Sequence, residues 1–237
     1  MAKRITMPLA IFCSCSLMTS QALAQWSSTV TLVSDYLFNG VSQTSEDPAL
    51  QASIDWAGDA GVYAGTWASY IDFGGTDETD LEWDFYLGYY TNLTENLDLD
   101  IGIAQYTYRG APVSDDYDYA EAYVKFNFST GTYVNVWYAW DYFGTDAGHY
   151  IIMLGQTLEL AENWSLDIAV DRSVSTDEDK WAWGNSSAYT HAKLHVLTSY
   201  HGWNFAAGVE TTSLDDDDGF NADTTLVFSV SRTFELR

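Results

Sequence analysis

The sequence predicts an all-β protein: an antiparallel up-and-down transmembrane β-barrel of about twelve strands, with short periplasmic turns and longer extracellular loops. Three observations carry this. From about residue 28 onward, segments of alternating apolar and polar residues recur to the C-terminus, which is the period of a strand with one face against an apolar medium. The connections between them alternate long and short, as they do when strands run up and down between two unlike sides. Aromatic residues make up 16% of the chain, charged residues only 18%, and there are three prolines, a composition suited to a lipid-facing wall finished by aromatic belts.

Residues 1–24 read as a secretory signal peptide and residues 25–237 as the barrel domain. Lys3 and Arg4 form the charged start, 7–18 is mostly apolar, and Ala22-Leu23-Ala24 is a small-x-small cleavage pattern. Cys13 and Cys15 both fall inside the leader, so the mature chain is expected to make no disulfide. The residues before them, Ile11-Phe12 and Cys13-Ser14, fit a lipobox poorly. Removing the leader leaves seven basic residues against 34 acidic ones, a formal charge of −27. That charge argues against nucleic acid or anionic lipid as a partner. No later stretch has the ~18 consecutive apolar residues of a helical span.

The alternation places strands at 28–39, 48–56, 61–71, 80–91, 97–108, 118–128, 132–142, 148–159, 164–173, 188–200, 203–213 and 223–234. Most approach the ~9–11 residues that a tilted strand needs to cross a bilayer. The odd-numbered connections hold the longer pieces (39–47, 109–117, 174–187, 214–222), and the even-numbered ones are tight (57–60, 92–96, 129–131, 160–163, 201–202). An even strand count with this phase puts both termini on the tight-turn side, the periplasmic side of an outer-membrane barrel.

Alternation also assigns faces. In the fourth strand Leu81, Trp83, Phe85 and Leu87 oppose Glu82, Asp84, Tyr86 and Gly88; in the fifth, Leu97, Leu99, Ile101 and Ile103 oppose Asp98, Asp100 and Gly102. In the ninth, Trp164, Leu166, Ile168 and Val170 oppose Ser165, Asp167, Ala169 and Asp171; in the last, Leu226, Phe228 and Val230 oppose Ser229 and Ser231. An ionised carboxylate on the lipid side is costly, so the register is fixed with the polar sets inside. Trp26, Trp56, Trp164 and Trp203 at the tight-turn ends, and Tyr36, Phe38, Tyr70, Tyr106, Tyr108, Trp140 and Tyr142 at the opposite ends, are expected to form the two belts.

The first hairpin also carries a family resemblance. The run Val33-Ser34-Asp35-Tyr36-Leu37-Phe38-Asn39-Gly40-Val41-Ser42-Gln43-Thr44, then Pro48-Ala49-Leu50-Gln51 and Gly61-Val62-Tyr63-Ala64-Gly65-Thr66-Trp67-Ala68-Ser69, resembles the proteobacterial TorF-type porins, the Gcw_chp family. The match is specific over residues 29–72, and later strands agree in spacing more than in motif. The resemblance implies an outer-membrane β-barrel that forms a pore, with substrates largely unassigned and no catalytic residues to carry over. Asn39 stands where the family often has an Arg, which puts an anion-attracting role there in doubt. Phe234-Glu235-Leu236-Arg237 extends past the terminal aromatic that barrel-assembly machinery reads.

The inward set inferred from alternation is Asp35, Gln51, Asp55, Glu82, Asp84, Asp98, Asp100, Glu121, Asn135, Asp141, Asp167, Asp171 and Glu210, with Lys125, Lys193, Arg172, His191 and His195 as its basic members. An acidic lumen concentrates cations and disfavours anions. A blander structural reading is a plug of ion pairs, for which Glu121 and Lys125 share a strand face. Twelve strands lie between filled small barrels and open wide porins, so width does not decide. His191 and His195 point the same way about 13 Å apart, too far to share a metal ion, and serve as counterweight to the acidic wall. No cofactor is expected. The Asp215 to Asp218 run, with Asp77, Glu78, Asp80, Asp115, Asp116, Asp177, Glu178 and Asp179, offers hard oxygens for loosely bound Ca²⁺ or Mg²⁺ at the outer loops but lacks EF-hand spacing.

The expected function is passive diffusion of small hydrophilic solutes, cationic or neutral, through a porin-like channel in the outer membrane of a Gram-negative bacterium. Lipid, the assembly machinery and the solutes are its partners. A lipid hydrolase needs a Ser with a His in reach; His149 and His201 lie near strand ends, but no G-x-S-x-G context occurs, so no enzyme is expected. The same alternation is compatible with a plugged structural barrel, and also with a secreted β-sandwich that binds sugars through its aromatics, although a sandwich leaves the loop phase unexplained.

Overall fold

The computed structural model describes residues 25–214 and 219–236. The leader, the Asp215 to Asp218 run and Arg237 lie outside the described residues. The strands are β1 (Gln25–Val33), β2 (Leu37–Phe38), β3 (Val41–Ser42), β4 (Ala49–Ala57), β5 (Val62–Tyr70), β6 (Leu81–Thr94), β7 (Leu97–Tyr106) and β8 (Tyr108–Arg109). They continue as β9 (Tyr119–Phe128), β10 (Thr132–Ala139), β11 (His149–Ala161), β12 (Trp164–Ser175), β13 (Ala188–Tyr200), β14 (Trp203–Thr212) and β15 (Thr225–Leu236).

Twelve of these pair antiparallel with their chain neighbours, and β1 closes the ring on β15 in the register Trp26↔Leu236 to Val33↔Ser229. β8 adds a short pairing on β6, and β2 with β3 forms a separate hairpin. Closure leaves no sheet edge, so every ladder hydrogen bond is met within the ring, the condition for a β-structure in lipid. The soluble two-sheet sandwich is thereby replaced by a transmembrane barrel. No helix among the described residues is long and apolar enough to cross a membrane.

The alternation reads out as expected. Leu87, Ile103, Leu154, Leu226 and Phe228 lie exposed on the outside, while Glu82, Asp84, Asp167 and Asp171 are buried inside. Strand ends match the sequence reading to within a few residues except in two places. The first strand stops at Val33, because Asp35 Oδ1 accepts hydrogen bonds from Ser42 Oγ (2.7 Å) and Thr44 Oγ1 (3.0 Å) and folds the chain back. The seventh stops at Ala139, where Asp141 accepts from the Asp146 N–H (2.7 Å) and a 3₁₀ turn, Tyr142–Gly144, follows.

The β2–β3 hairpin turns on Asn39 (φ 47°) and Gly40 (φ 81°), a two-residue turn with both central residues left-handed. Asn39 thus serves the turn itself, as a residue that tolerates the left-handed conformation. A Cβ on Gly40 would lie 2.7 Å from the His191 ring and 2.5 Å from Thr212, so the hairpin tip reaches inward onto β13 and β14. The first loop therefore occupies barrel interior rather than the outer surface.

Candidate functional site

The inner wall divides into two unlike halves. On β12, β13 and β14 three acids meet three bases. Asp171 and Glu210 bracket His191 at 2.7 Å and 2.9 Å, Glu210 also lies 3.0 Å from His195 Nε2, and Lys193 Nζ pairs with Asp167 at 3.1 Å. The geometry follows from register, since His191 faces Asp171 across one ladder and Lys193 faces Glu210 across the next. Two histidines too far apart to share a metal ion thus share one carboxylate. Asp167 also accepts from Tyr133 Oη (3.1 Å) and Thr157 Oγ1 (3.1 Å).

Glycine makes room for these rings. A Cβ on Gly155 would lie 2.0 Å from Tyr133 Cζ, and one on Gly88 2.3 Å from Tyr63 Cζ, so each tyrosine lies flat over a neighbouring strand. Tyr63 then reaches Asp100 and the Tyr123 hydroxyl, both at 2.5 Å. Lys125 lies 3.9 Å from Asp100, its ladder partner, and over the Tyr123 ring at 4.5 Å.

The half built by β4 to β9 is acidic. Asp55 is met by Ser53 and Tyr86, and Asp98 by Tyr90 (2.6 Å) and Asn92 (2.5 Å). Higher up, Glu82, Asp84 and Glu121 are almost fully buried, at 2%, 1% and 1% exposure. Glu121 Oε1 accepts from Tyr106 Oη (3.0 Å), while Glu121 Oε2 and both oxygens of Asp84 accept no hydrogen bond. Gln51 and Asn135 are buried and inward, and Asn135 Oδ1 is likewise without a donor.

Sequence expectations change for three inward residues and for the outer belt. Asp141 is in the connection after β10 and not on the wall, and Asp35 anchors the inward hairpin instead of a strand. Arg172 is exposed on the outer face of β12 and donates to Thr190 Oγ1 (3.0 Å). Of the outer belt, Tyr70 and Trp140 are exposed, but Tyr36, Tyr106, Tyr108 and Tyr142 are buried inside and Phe38 is half-buried. Strand parity accounts for Tyr106, since the outward residues of β7 are odd-numbered.

With side chains from the long connections, these rings form an aromatic layer across the long-loop end, which single-strand reasoning missed. Phe143 stacks on Trp181 (5.6 Å) and Tyr108 (5.2 Å), Phe73 packs edge-on to Tyr117 and Phe143, and Trp183 meets Tyr189 (4.9 Å). His149 lies within it, 4.1 Å from Tyr142, with neither ring nitrogen hydrogen-bonded. His201 is in the β13–β14 turn against Tyr200. Outside, Asp77 accepts from the Thr79 N–H and Tyr117 Oη; burial pushes its carboxyl up, but these hydrogen bonds outweigh it and hold it below the usual range. Arg109 pairs with Asp115 and Asp118 and Lys180 with Asp177, and among the described residues no group of three or more acids, histidines or cysteines is arranged to hold a metal ion.

A protein-family model described as a bacterial protein of unknown function, Gcw_chp, matches residues 19–234. No curated protein matches the sequence. In structure the chain is similar to the KdgM porin (TM-score 0.56, 8% identity, 89% of this chain and 99% of that one). It is similar to the NanC porin (TM-score 0.53, 9% identity, 90% and 100%) and to a TodX monoaromatic hydrocarbon channel mutant (TM-score 0.51, 9% identity, 91% and 91%). At these identities the likeness is one of fold.

Proposed function

The chain belongs to the Gcw_chp family of bacterial proteins, and on that premise we propose that it is an outer-membrane, porin-like channel that passes small hydrophilic solutes, cations before anions. The observation that carries this is the division of the barrel into an apolar outside and an inner wall whose acids outnumber its bases. On β12 to β14 three acids and three bases offset each other, whereas β4 to β9 place Asp55, Glu82, Asp84, Asp98, Asp100 and Glu121 against Lys125. Low-dielectric walls focus that field along the interior and favour cations. Outer-membrane lipid, the barrel-assembly machinery and the solutes are its partners on this reading. The tight turns face the periplasm and the acidic long loops face out.

The β2–β3 hairpin and the aromatic layer make the interior narrow, and the hairpin together with Phe73, Phe143, Trp181 and Trp183 of that layer lies outside the barrel ladder. Their packing also favours a second reading, a barrel closed throughout its life. Planar-bilayer recording of the detergent-extracted protein separates the two. The channel gives discrete conductance steps, enlarged when 37–42 is deleted; silence from both the intact and the hairpin-deleted barrel supports the closed one.

A further inference from the structure

The acidic nest formed by Glu82, Asp84 and Glu121 stands out in the interior by the number of its unpaired carboxylate oxygens. Three carboxyl groups within electrostatic reach of one another are almost free of solvent, and three of their oxygens, Asp84 Oδ1, Asp84 Oδ2 and Glu121 Oε2, accept no hydrogen bond. Ionised carboxylates in such a place are costly unless a positive group and its donors are supplied. On β12 to β14 they are supplied, by Lys193 for Asp167 and by His191 for Asp171 and Glu210, whereas at the nest Lys125 acts on Glu121 from the same strand face and pairs with Asp100 at 3.9 Å. The nest is also walled by rings. Glu121 touches Tyr106, Tyr106 stacks on Tyr119 at 4.5 Å, and the Trp67 ring, opposite Asp84 in the ladder, meets Tyr36 at 5.4 Å.

We propose that the Glu82, Asp84 and Glu121 nest is a binding station for a primary alkylammonium group carried by a small organic solute. Three orphaned acceptors match the three N–H donors of an ammonium. The surrounding tyrosine and tryptophan faces attract a cation through the ring quadrupole and accommodate an alkyl tail, which a small, strongly hydrated metal ion does not use. The roof is formed by Phe143 and Phe73 on Tyr108, Tyr119 and Tyr117, and both phenylalanines sit on connections, so the station opens without loss of ladder pairing. This inference rests on the barrel being a cation path and names the solute class for it.

The test is calorimetric titration of the folded, micelle-solubilised barrel with n-propylammonium chloride at constant ionic strength. One saturable site is expected, weakened at least tenfold in Asp84→Asn and in Glu121→Gln and unchanged in the outer-loop variant Asp177→Asn. Tetramethylammonium, with the same charge and no N–H donor, is expected to bind at least tenfold more weakly. Heat-modifiable gel mobility verifies that each variant is folded. Absence of saturation in the wild type, or wild-type affinity retained in Asp84→Asn and Glu121→Gln, overturns the station. Potassium conductance unaffected by propylammonium overturns the station and leaves the channel standing; saturable binding by a silent barrel retains the station and removes the channel.

Discussion

Replacing Glu210 by Gln tests whether the histidine bracket holds the β12 to β14 wall together. Glu210 is 5% exposed and takes His191 Nε2 at 2.9 Å on one oxygen and His195 Nε2 at 3.0 Å on the other. The His191 hydrogen bond to the ionised carboxylate contributes roughly 1.5–3 kcal/mol, and His195, at ion-pair distance without hydrogen-bond geometry, adds a smaller electrostatic share. The isosteric amide keeps one acceptor for His191 but turns its NH₂ toward His195 and loses the charge, so a net loss of about 2–4 kcal/mol is expected. That corresponds to roughly a 30- to 700-fold drop in the folded-to-unfolded ratio. Urea unfolding in lipid vesicles, followed by tryptophan fluorescence, reads the change as a shift in midpoint at constant slope. A double-mutant cycle with His195→Gln isolates the His195 contact, with a coupling of about 1–3 kcal/mol. A loss under ~0.5 kcal/mol for Glu210→Gln, or no coupling to His195, would refute the idea that the bracket is structural.

Leu154 faces outward near the middle of β11 and Leu160 near its tight-turn end; in the same unfolding assay Leu154→Arg is expected to cost about 2–4 kcal/mol and Leu160→Arg about 0–1 kcal/mol. Equal costs would contradict the depth assigned to this strand. Gly155→Val drives a side chain into Tyr133, whose ring would lie 2.0 Å from the new Cβ. A loss of about 1–3 kcal/mol is expected, partly recovered in the double variant Gly155→Val with Tyr133→Ala; failure of that recovery would sink the packing argument. At the outer rim, Asp77 is held below the usual carboxylate range by Thr79 and Tyr117. Its contribution to loop order is therefore full above the ordinary carboxylate range and fades as pH falls through the depressed folded value. Limited proteolysis of the 71–80 connection should become faster on acidification in the wild type and show a weaker pH dependence in Asp77→Asn.

The strands are legible in the sequence because each is a test of parity repeated along its length. Asp167 and Asp171 inside against Ile168 and Val170 outside leave one register, and the same holds for Glu82 and Asp84 against Trp83 and Phe85. The phase of the connections carries the even count and the common side of the termini. Sequence reading fails where parity stops. Tyr142, past the end of β10, sorts with the outer belt, because an aromatic at a strand end looks the same whether it meets lipid or folds over the mouth. Tyr106 and Tyr108 are misplaced for a different reason: their even numbers already put them inside, and the belt pattern masks that signal. The inward hairpin has a local cue in Asn39-Gly40, a turn needing φ > 0 at two successive residues. Its contact with His191 and Thr212 joins residues far apart in the chain, which no local pattern encodes. The nest of Glu82, Asp84 and Glu121 combines both cases: alternation assigns each acid inward, and only the closed ring shows that Lys193, His191 and His195 serve other carboxylates.

The most direct measurement of the central claim is the zero-current potential of the purified barrel in a planar bilayer under a tenfold potassium chloride gradient. A cation path through an acidic interior predicts a potential of the sign set by potassium, approaching roughly 59 mV for full selectivity, and diminished in the combined variant Asp55→Asn with Asp98→Asn and Asp100→Asn. A potential of the sign set by chloride, or one near zero that the triple variant leaves unmoved, would contradict it.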